Sequence, residues 1–96
     1  YPSMIVGVCT IDLHIAESGS LKSKRHVLRS IKDRLKGRFN ISVAEVEDQD
    51  LWQRVTLGVA CIGTDNAQVN RVLDHVIDFV EEIPDVEVIE ATIEII

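Results

Sequence analysis

Apolar residues recur along this chain with two different periods, and the alternation of those periods predicts its secondary structure. Segments rich in β-branched residues are predicted strands, at residues 5–15, 39–47, 53–62 and 86–96. Between the first two strands, apolar residues at three- and four-residue steps predict a helix that runs to about Lys36. The same spacing after Asp65 predicts a second helix that stops before Pro84. The predicted order is therefore βαββαβ.

Polar and glycine residues mark the predicted ends of these elements. Ser20 is a predicted N-cap, because its hydroxyl can accept from a free amide in the first helical turn. Gly37 is a predicted left-handed C-cap of the same helix. Asp65 and Gln68 have the spacing of a capping-box variant at the start of the second helix. Residues 48–50 form a polar turn, which predicts that the second and third strands pair as a hairpin.

This order predicts an α+β fold of the ferredoxin-like βαββαβ type. Right-handed crossovers and one hairpin give a four-stranded antiparallel sheet in the order 4-1-3-2, with two helices on one face. The residues predicted to face the helices are Ile5, Cys9, Ile11, Leu13, Val55, Leu57, Val59, Cys61, Ile89, Ala91, Ile93 and Ile95. A chain of 96 residues supports one such core, so we expect a single domain over residues 4–96. We interpret Tyr1-Pro2-Ser3, ahead of Met4, as a cloning remnant.

The opposite face of the predicted sheet is less polar than a solvated face should be. Its predicted residues include Val6, Val8, Thr10, Thr56, Ala60, Ile62 and Val88. A contiguous apolar surface on a small protein usually marks a partner interface. We therefore expect a homodimer formed through this face or through an exposed sheet edge. The alternative is an ordinary surface with a few scattered valines.

Composition and cysteine use indicate the compartment. No signal sequence precedes Met4, and no apolar run approaches the ~18–20 residues that a membrane span requires. Cys9 and Cys61 lie in apolar predicted strands without metal-ligand spacing, which is typical of buried thiols in a reducing compartment. We therefore expect a cytoplasmic protein with no cofactor, no metal and no membrane association.

The net charge of the chain is −6, but its basic residues concentrate in the first predicted helix. Residues 22–38 contain eight basic residues and one acid, Asp33, which is a local charge of +7. Residues 39–96 contain two basic residues and thirteen acids, which is a local charge of −11. At ~100° per residue, one quarter of the helix circumference holds Lys22, Arg25, Arg29, Lys32 and Lys36.

This basic stripe is the principal candidate site, because aligned cations can each contact a phosphate of a polyanion. Lys24 and Arg38 complete the candidate set for RNA or anion binding. Lys24 falls on the apolar side of the helix, and we expect it to reach over the sheet edge by snorkelling. The alternative is a solvated helix face that only balances the acidic remainder of the chain. Such a face usually mixes charge signs for local pairing, and this one does not, which favours binding of an anion.

Two residues near the acidic turn, Trp52 and Glu45, have two interpretations each. Trp52, which is followed by Arg54, could stack on a base or enter the pocket of a protein partner, or it could cap the open end of the core. Glu45 is interpreted as a structural ion-pair partner of Lys24, Arg25 or Arg54 rather than as a catalytic carboxylate.

We expect no enzymatic activity. His14, His26 and His75 lie in different predicted elements, and no glycine-rich phosphate loop, metal-ligand cluster or nucleophile–base pair is recognisable. The alternative function to RNA binding is a homodimeric protein-interaction or small-molecule regulatory module, since βαββαβ domains can bind ligands at dimer interfaces. Fold alone is weak support for that alternative, and the sequence specifies no ligand for it.

Several segments together resemble the YlxP-like family of small bacterial proteins of poorly defined function. The matching residues are Ser20-Leu21-Lys22, Lys24-Arg25, Asp33-Arg34-Leu35, Arg38-Phe39-Asn40, Ser42, Ala44-Glu45-Val46, Asp50-Leu51-Trp52-Gln53-Arg54 and Leu57-Gly58. The resemblance extends from Met4 to the C-terminus and is strongest from Ser20 to Gly58. Members look like ferredoxin-like domains, and their genes are often found among those for translation initiation and ribosome maturation factors. The resemblance therefore implies a ribosome-associated role, with ribosomal RNA or a ribosomal subunit as partner, but no established reaction.

Overall fold

A computed structural model describes residues 3–16, 21–47 and 53–96. In chain order the elements are β1 (Ile5–Ile15), α1 (Leu21–Arg38), β2 (Ser42–Glu47), β3 (Arg54–Gly63), α2 (Asn66–Glu81) and β4 (Val86–Ile95). The strands form one antiparallel sheet in the order β2-β3-β1-β4, which is the predicted order counted from the other edge. The predicted ferredoxin-like α+β fold is therefore confirmed.

The sheet pairs its strands as the predicted topology requires. β1 lies in the interior of the sheet and pairs with β3 on one side and β4 on the other. β2 and β3 form the predicted hairpin, with Ser42 opposite Ala60 and Ala44 opposite Gly58. β2 and β4 are consequently the two edges of the sheet.

Both helices pack on one face of the sheet and close a single core. The buried apolar residues are Cys9, Ile11, Leu13, Ile15, Leu28, Ile31, Leu35, Val55, Leu57, Val59, Cys61, Val69, Leu73, Val76, Val80, Ile83 and Val86. The two cysteines are free, buried thiols, as predicted. Burial, with a smaller contribution from the charge of Asp74, raises the pKa of Cys9 to about 11, and burial also raises the pKa of Cys61. Among the described residues, no helix is long and apolar enough to cross a bilayer.

The start of α2 agrees with the prediction. The carboxylate of Asp65 accepts a hydrogen bond from the backbone N–H of Gln68 at 3.2 Å, which satisfies one of the free amides of the first turn. The predicted N-cap at Ser20 and the predicted turn at residues 48–50 lie outside the described residues.

The end of α1 differs from the prediction. Gly37 is not a C-cap, because the helix continues to Arg38 and no glycine in the described ranges has a positive φ. The backbone N–H of Phe39 donates to the carbonyl of Leu35 at 2.9 Å, which extends the helical hydrogen bonding past the glycine. A glycine near a helix end is therefore a weaker stop signal here than the packing of the last turn.

The inward side of β4 also differs from the prediction, at two residues. β1 pairs with β4 with Asp12 opposite Glu90, and the register then shifts so that Leu13 lies opposite Val88. Ile89 is the extra residue of this bulge and is exposed instead of buried, whereas Val88 packs against the core instead of lying on the open face. The prediction was wrong here because one extra residue inverts the alternation of side chains beyond a bulge.

Two glycines allow α2 to approach the sheet closely. A Cβ atom on Gly7 would collide with Cγ1 of Val69 and lie 2.9 Å from Cδ1 of Leu73. A Cβ atom on Gly63 would lie 2.8 Å from Cγ2 of Val69. These distances are well inside van der Waals contact, so the side chain of Val69 occupies the space that both glycines leave open.

Candidate anion-binding surface

α1 turns one row of residues toward the core and presents its basic residues to solvent. The buried row follows three- and four-residue steps through Lys24, Leu28, Ile31 and Leu35. Of the predicted stripe, Lys32 is partly buried, and the exposed members are Lys22, Arg25, Arg29 and Lys36. The amphipathic pattern that anchors α1 to the core therefore also sets the direction in which the basic residues point.

Glu45 of β2 binds two members of the stripe. Its carboxylate accepts from Nζ of Lys32 at 3.1 Å and from a guanidinium nitrogen of Arg25 at 3.4 Å. The Glu45 side chain is only 10% exposed, so these ion pairs are less screened than ordinary surface pairs. The predicted pairing of Glu45 with Arg25 is confirmed. The contact with Lys32 was missed, although Arg25 and Lys32 lie two helical turns apart on the same side of α1.

Three exposed cations remain, and we call Lys22, Arg29 and Lys36 the basic row. They are spaced seven residues apart, which places them on one line along α1 at intervals of ~10 Å. Among the described residues, none of the three has an ion pair with a carboxylate. The basic row is therefore the part of the stripe that is open to a polyanion.

The predicted role of Lys24 is corrected by the structure. Lys24 is fully buried on the core side of α1, and it does have an interaction partner. It therefore does not snorkel to the surface, and it lacks the exposure that a phosphate contact needs. The helical spacing placed it correctly on the apolar side, but it could not show that the ammonium group is enclosed there.

Arg34 and Arg38 lie on the opposite flank of α1, beside α2. Their guanidinium carbons lie 5.4 and 5.3 Å from the ring centroid of Phe79, within the range of a cation–π contact. The ring of Phe79 also meets Phe39 edge to face at 6.1 Å. We call Arg34 and Arg38 the arginine pair. Arg38 belonged to the candidate set, whereas Arg34 and Phe79 did not, because their contact joins residues that are distant in sequence.

Two cavities meet at Arg38 and Phe39. The first, which we call the slot, has a volume of about 290 Å³ and is lined by Arg38, Phe39, Asn40, Cys61, Ile62, Gln68, Val69 and Val72. The second has a volume of about 310 Å³ and is lined by Arg38, Phe39, His75, Asp78, Phe79 and Glu82. Both include Arg38 and Phe39, so together they form one groove between the end of α1 and α2.

The remaining candidate residues from the sequence are Arg54 and Trp52. Arg54 is exposed at the start of β3 and is not a partner of Glu45 in the ion pairs given above. Trp52 lies outside the described residues. Within the described ranges, no group of three or more His, Cys, Asp or Glu side chains could hold a metal ion.

The open face of the sheet is apolar at one end. Ile62 is 66% exposed and Val46 is 52% exposed. Next to them, a shallow depression of about 250 Å³ is lined by Val8, Ser42, Val43, Ala44, Val46, Gly58, Val59 and Ala60. The other end of this face is more polar: the hydroxyl of Thr56 donates to the carboxylate of Asp12 at 2.6 Å.

Comparison with known proteins places the chain in a family. Residues 6–93 match the family described as "Protein of unknown function (DUF503)". The chain belongs to this family. It is 35% identical over 83 residues to the "Uncharacterized protein YlxP" of Bacillus subtilis (strain 168), an alignment that covers 86% of this chain and 90% of that protein. The YlxP-like resemblance of the sequence is thereby confirmed.

A solved structure supports the fold of this family member independently. The "De novo designed protein Foldit4" superposes with a TM-score of 0.56 over 96% of both chains, at 14% identity. A likeness at that level of identity concerns the fold alone.

Proposed function

We propose that this protein is a non-enzymatic, ribosome- or RNA-associated factor that binds the phosphate backbone of RNA through α1. The observation that supports this most directly is the basic row: three exposed cations lie on one line of a helix, without described ion pairs, in a chain whose net charge is −6. A linear polyanion can follow such a line, because each cation then meets a different phosphate.

The ion pairs of Glu45 reduce the number of phosphate contacts that α1 can supply. Arg25 and Lys32 already have Glu45 as a counter-charge, so the basic row supplies three phosphate contacts instead of the five in the predicted stripe. With ~0.7–0.9 counterions released per contact, the logarithm of the binding constant should fall with the logarithm of salt concentration at a slope of about −2 to −3.

RNA is the polyanion we favour, because the YlxP-like resemblance of the sequence implies a ribosome-associated role. The described strands contain no Phe, Tyr or Trp residue, so the sheet lacks the aromatic pair that a standard RNA-recognition sheet uses to stack bases. Binding through α1 requires no such aromatic residues.

The test is co-sedimentation with bacterial ribosomal subunits across a salt series, with two matched variants. Arg29→Gln removes one exposed arginine charge from α1, and Arg71→Gln removes one from α2. We expect Arg29→Gln to weaken binding and to make the salt slope shallower by about 0.8, while Arg71→Gln binds like the wild type. No association of the wild type at low salt would contradict the proposal. Binding that Trp52→Ala abolishes and Arg29→Gln leaves intact would favour a protein-interaction module.

A homodimer is the second candidate, supported by the shape of the open face. Ile62 protrudes, and the depression over Gly58 lies on the same face. In an assembly with two-fold symmetry, the same patch of each copy meets its counterpart, so a protrusion and a depression on one face can fill each other. We therefore propose a second copy of this chain as the occupant of this face.

A further inference from the structure

The slot has the composition of a ligand site. Its wall is apolar, with Val69 fully buried and Ile62 and Val72 beside it, and three hydrogen-bonding side chains stand at its rim. These are Arg38, Asn40 and Gln68. Small-molecule sites typically combine an apolar lining with a few convergent polar groups, and a volume of about 290 Å³ is at the small end of their range.

The arginine pair gives the groove a fixed positive charge. A guanidinium that lies over an aromatic ring uses its face for that contact and keeps its in-plane N–H groups for another partner. Among the described residues, no carboxylate lies within ion-pair distance of Arg34 or Arg38, in contrast to Arg25 and Lys32 at Glu45. Phe79 therefore holds both guanidinium groups beside its ring. Of the two, Arg38 also lines the slot and gives it its positive charge.

The second cavity is less suited to an anion than the slot. Asp78 and Glu82 line it together with His75, so its far end is acidic. The slot has no acidic lining residue. An anionic ligand is therefore expected at Arg38, with its neutral part directed toward Val69 and Val72.

We infer that the slot binds one nucleotide unit, with its base against the apolar wall and its phosphate on Arg38. The side-chain amides of Asn40 and Gln68 can each donate and accept, which is the capacity that the edge of a base requires. Lys36 of the basic row and Arg38 both lie in the last turn of α1, but on different flanks. An RNA strand that follows the row therefore has to cross the C-terminal end of α1 to place a nucleotide in the slot. This inference deepens the proposed function and rests on it, because RNA bound along α1 would supply the nucleotide. The nucleotide is either an unpaired nucleotide of RNA or a free mononucleotide.

The test follows the methyl resonances of Ile62, Val69 and Val72 by nuclear magnetic resonance while ligand is added. The two probes are adenosine 5′-monophosphate and a single-stranded hexaadenylate RNA. A base in the slot should shift these methyl resonances through its ring current. Arg38→Gln should weaken the affinity for either probe about tenfold, as expected for loss of a charged hydrogen bond. Gln68→Ala, at an exposed position, should weaken it without affecting folding, and Arg71→Gln should leave it unchanged.

The possible results separate this inference from the proposed function. Shifts with both probes, or with the RNA alone, support the inference, and shifts with the RNA alone identify RNA as the source. RNA that shifts the amide resonances around Arg29 and leaves the three methyl groups unchanged overturns the inference and leaves the proposed function intact. Shifts with the mononucleotide, combined with no association with ribosomal subunits, support the slot and overturn the proposed function. No methyl shift with either probe, or equal affinity of Arg38→Gln and wild type, overturns the inference.

Discussion

Lys24 is the residue whose environment departs most from what its side chain usually requires. It is fully buried in a row otherwise made of leucine and isoleucine, and it has an interaction partner. A buried ammonium group is stable only when it is paired, and removal of one member of such a pair leaves the other without compensation. Lys24 is therefore interpreted as a structural residue.

This interpretation predicts that the same substitution at two neighbouring lysines lowers the free energy of unfolding by different amounts. Lys24→Met keeps the length of the side chain and removes its charge, so it should lower the free energy of unfolding by about 1–3 kcal/mol because the interaction partner of Lys24 is left uncompensated. Lys22→Met, at an exposed position on the same turn, should change it by less than about 0.5 kcal/mol. Urea unfolding of both variants gives the measurement. Equal changes in the free energy of unfolding for Lys24→Met and Lys22→Met would contradict a structural role for Lys24.

At the scale of elements, the end of α1 predicts opposite effects for two glycines. Gly37 lies inside the helix, and a Cβ atom there would meet nothing within 4 Å. Gly37→Ala should therefore stabilise the protein by about 0.5–1 kcal/mol, the usual cost of glycine in a helix. Gly7→Ala should destabilise it by about 1–3 kcal/mol, because its new methyl group overlaps Val69. Thermal unfolding distinguishes the two. A loss of stability in Gly37→Ala would instead indicate the left-handed C-cap that the sequence predicted.

The ion pairs between α1 and β2 predict a variant that is less stable yet binds RNA more tightly. Glu45→Gln removes the counter-charge of Arg25 and Lys32, so the free energy of unfolding should fall by about 1 kcal/mol. The two released cations add up to two phosphate contacts, which should steepen the salt slope by up to ~1.5. Glu47→Gln, an exposed position on the same strand, is the matched control and should change neither quantity much. Tighter binding by Glu47→Gln as well would assign the effect to net charge instead of to release of Arg25 and Lys32.

The elements also show why sequence patterns predicted the fold well and the site only in part. Alternation in β1 and β3 and the helical spacing of Val69, Leu73, Val76 and Val80 were sufficient for the topology, because each repeats the same information several times. The bulge at Ile89 could not be predicted, since Val88 and Ile89 are adjacent apolar residues and either one could face the core. The partners of Lys32 and Arg34 depend on how α1 lies against β2 and α2, and local spacing contains no information about that packing.

At the scale of the whole molecule, charge and apolar surface lie on different sides. The positive charge is on α1, over one face of the sheet, and the exposed apolar end is on the other face. The acidic residues are concentrated after residue 39, so the strongly positive region is small and well defined. The basic row and the open face can therefore be occupied at the same time, whereas Ile62, which also lines the slot, places a nucleotide there next to the proposed dimer contact. Binding of RNA and dimerisation can be tested separately on the same protein.

The separation of these surfaces leads to a prediction about assembly. Ile62→Lys places a charge on the most exposed large apolar side chain of the open face, while Ile89→Lys places one on an exposed isoleucine of the edge strand β4. If two copies meet through the open face, sedimentation at micromolar concentration should give a dimer mass for the wild type and for Ile89→Lys. Ile62→Lys should give a monomer mass, because a buried unpaired lysine opposes association. Co-sedimentation of Ile62→Lys with ribosomal subunits should keep the salt slope of the wild type, since the basic row is unchanged. A monomeric wild type would contradict the dimer, and a dimer disrupted by Ile89→Lys alone would place the contact at the edge of the sheet.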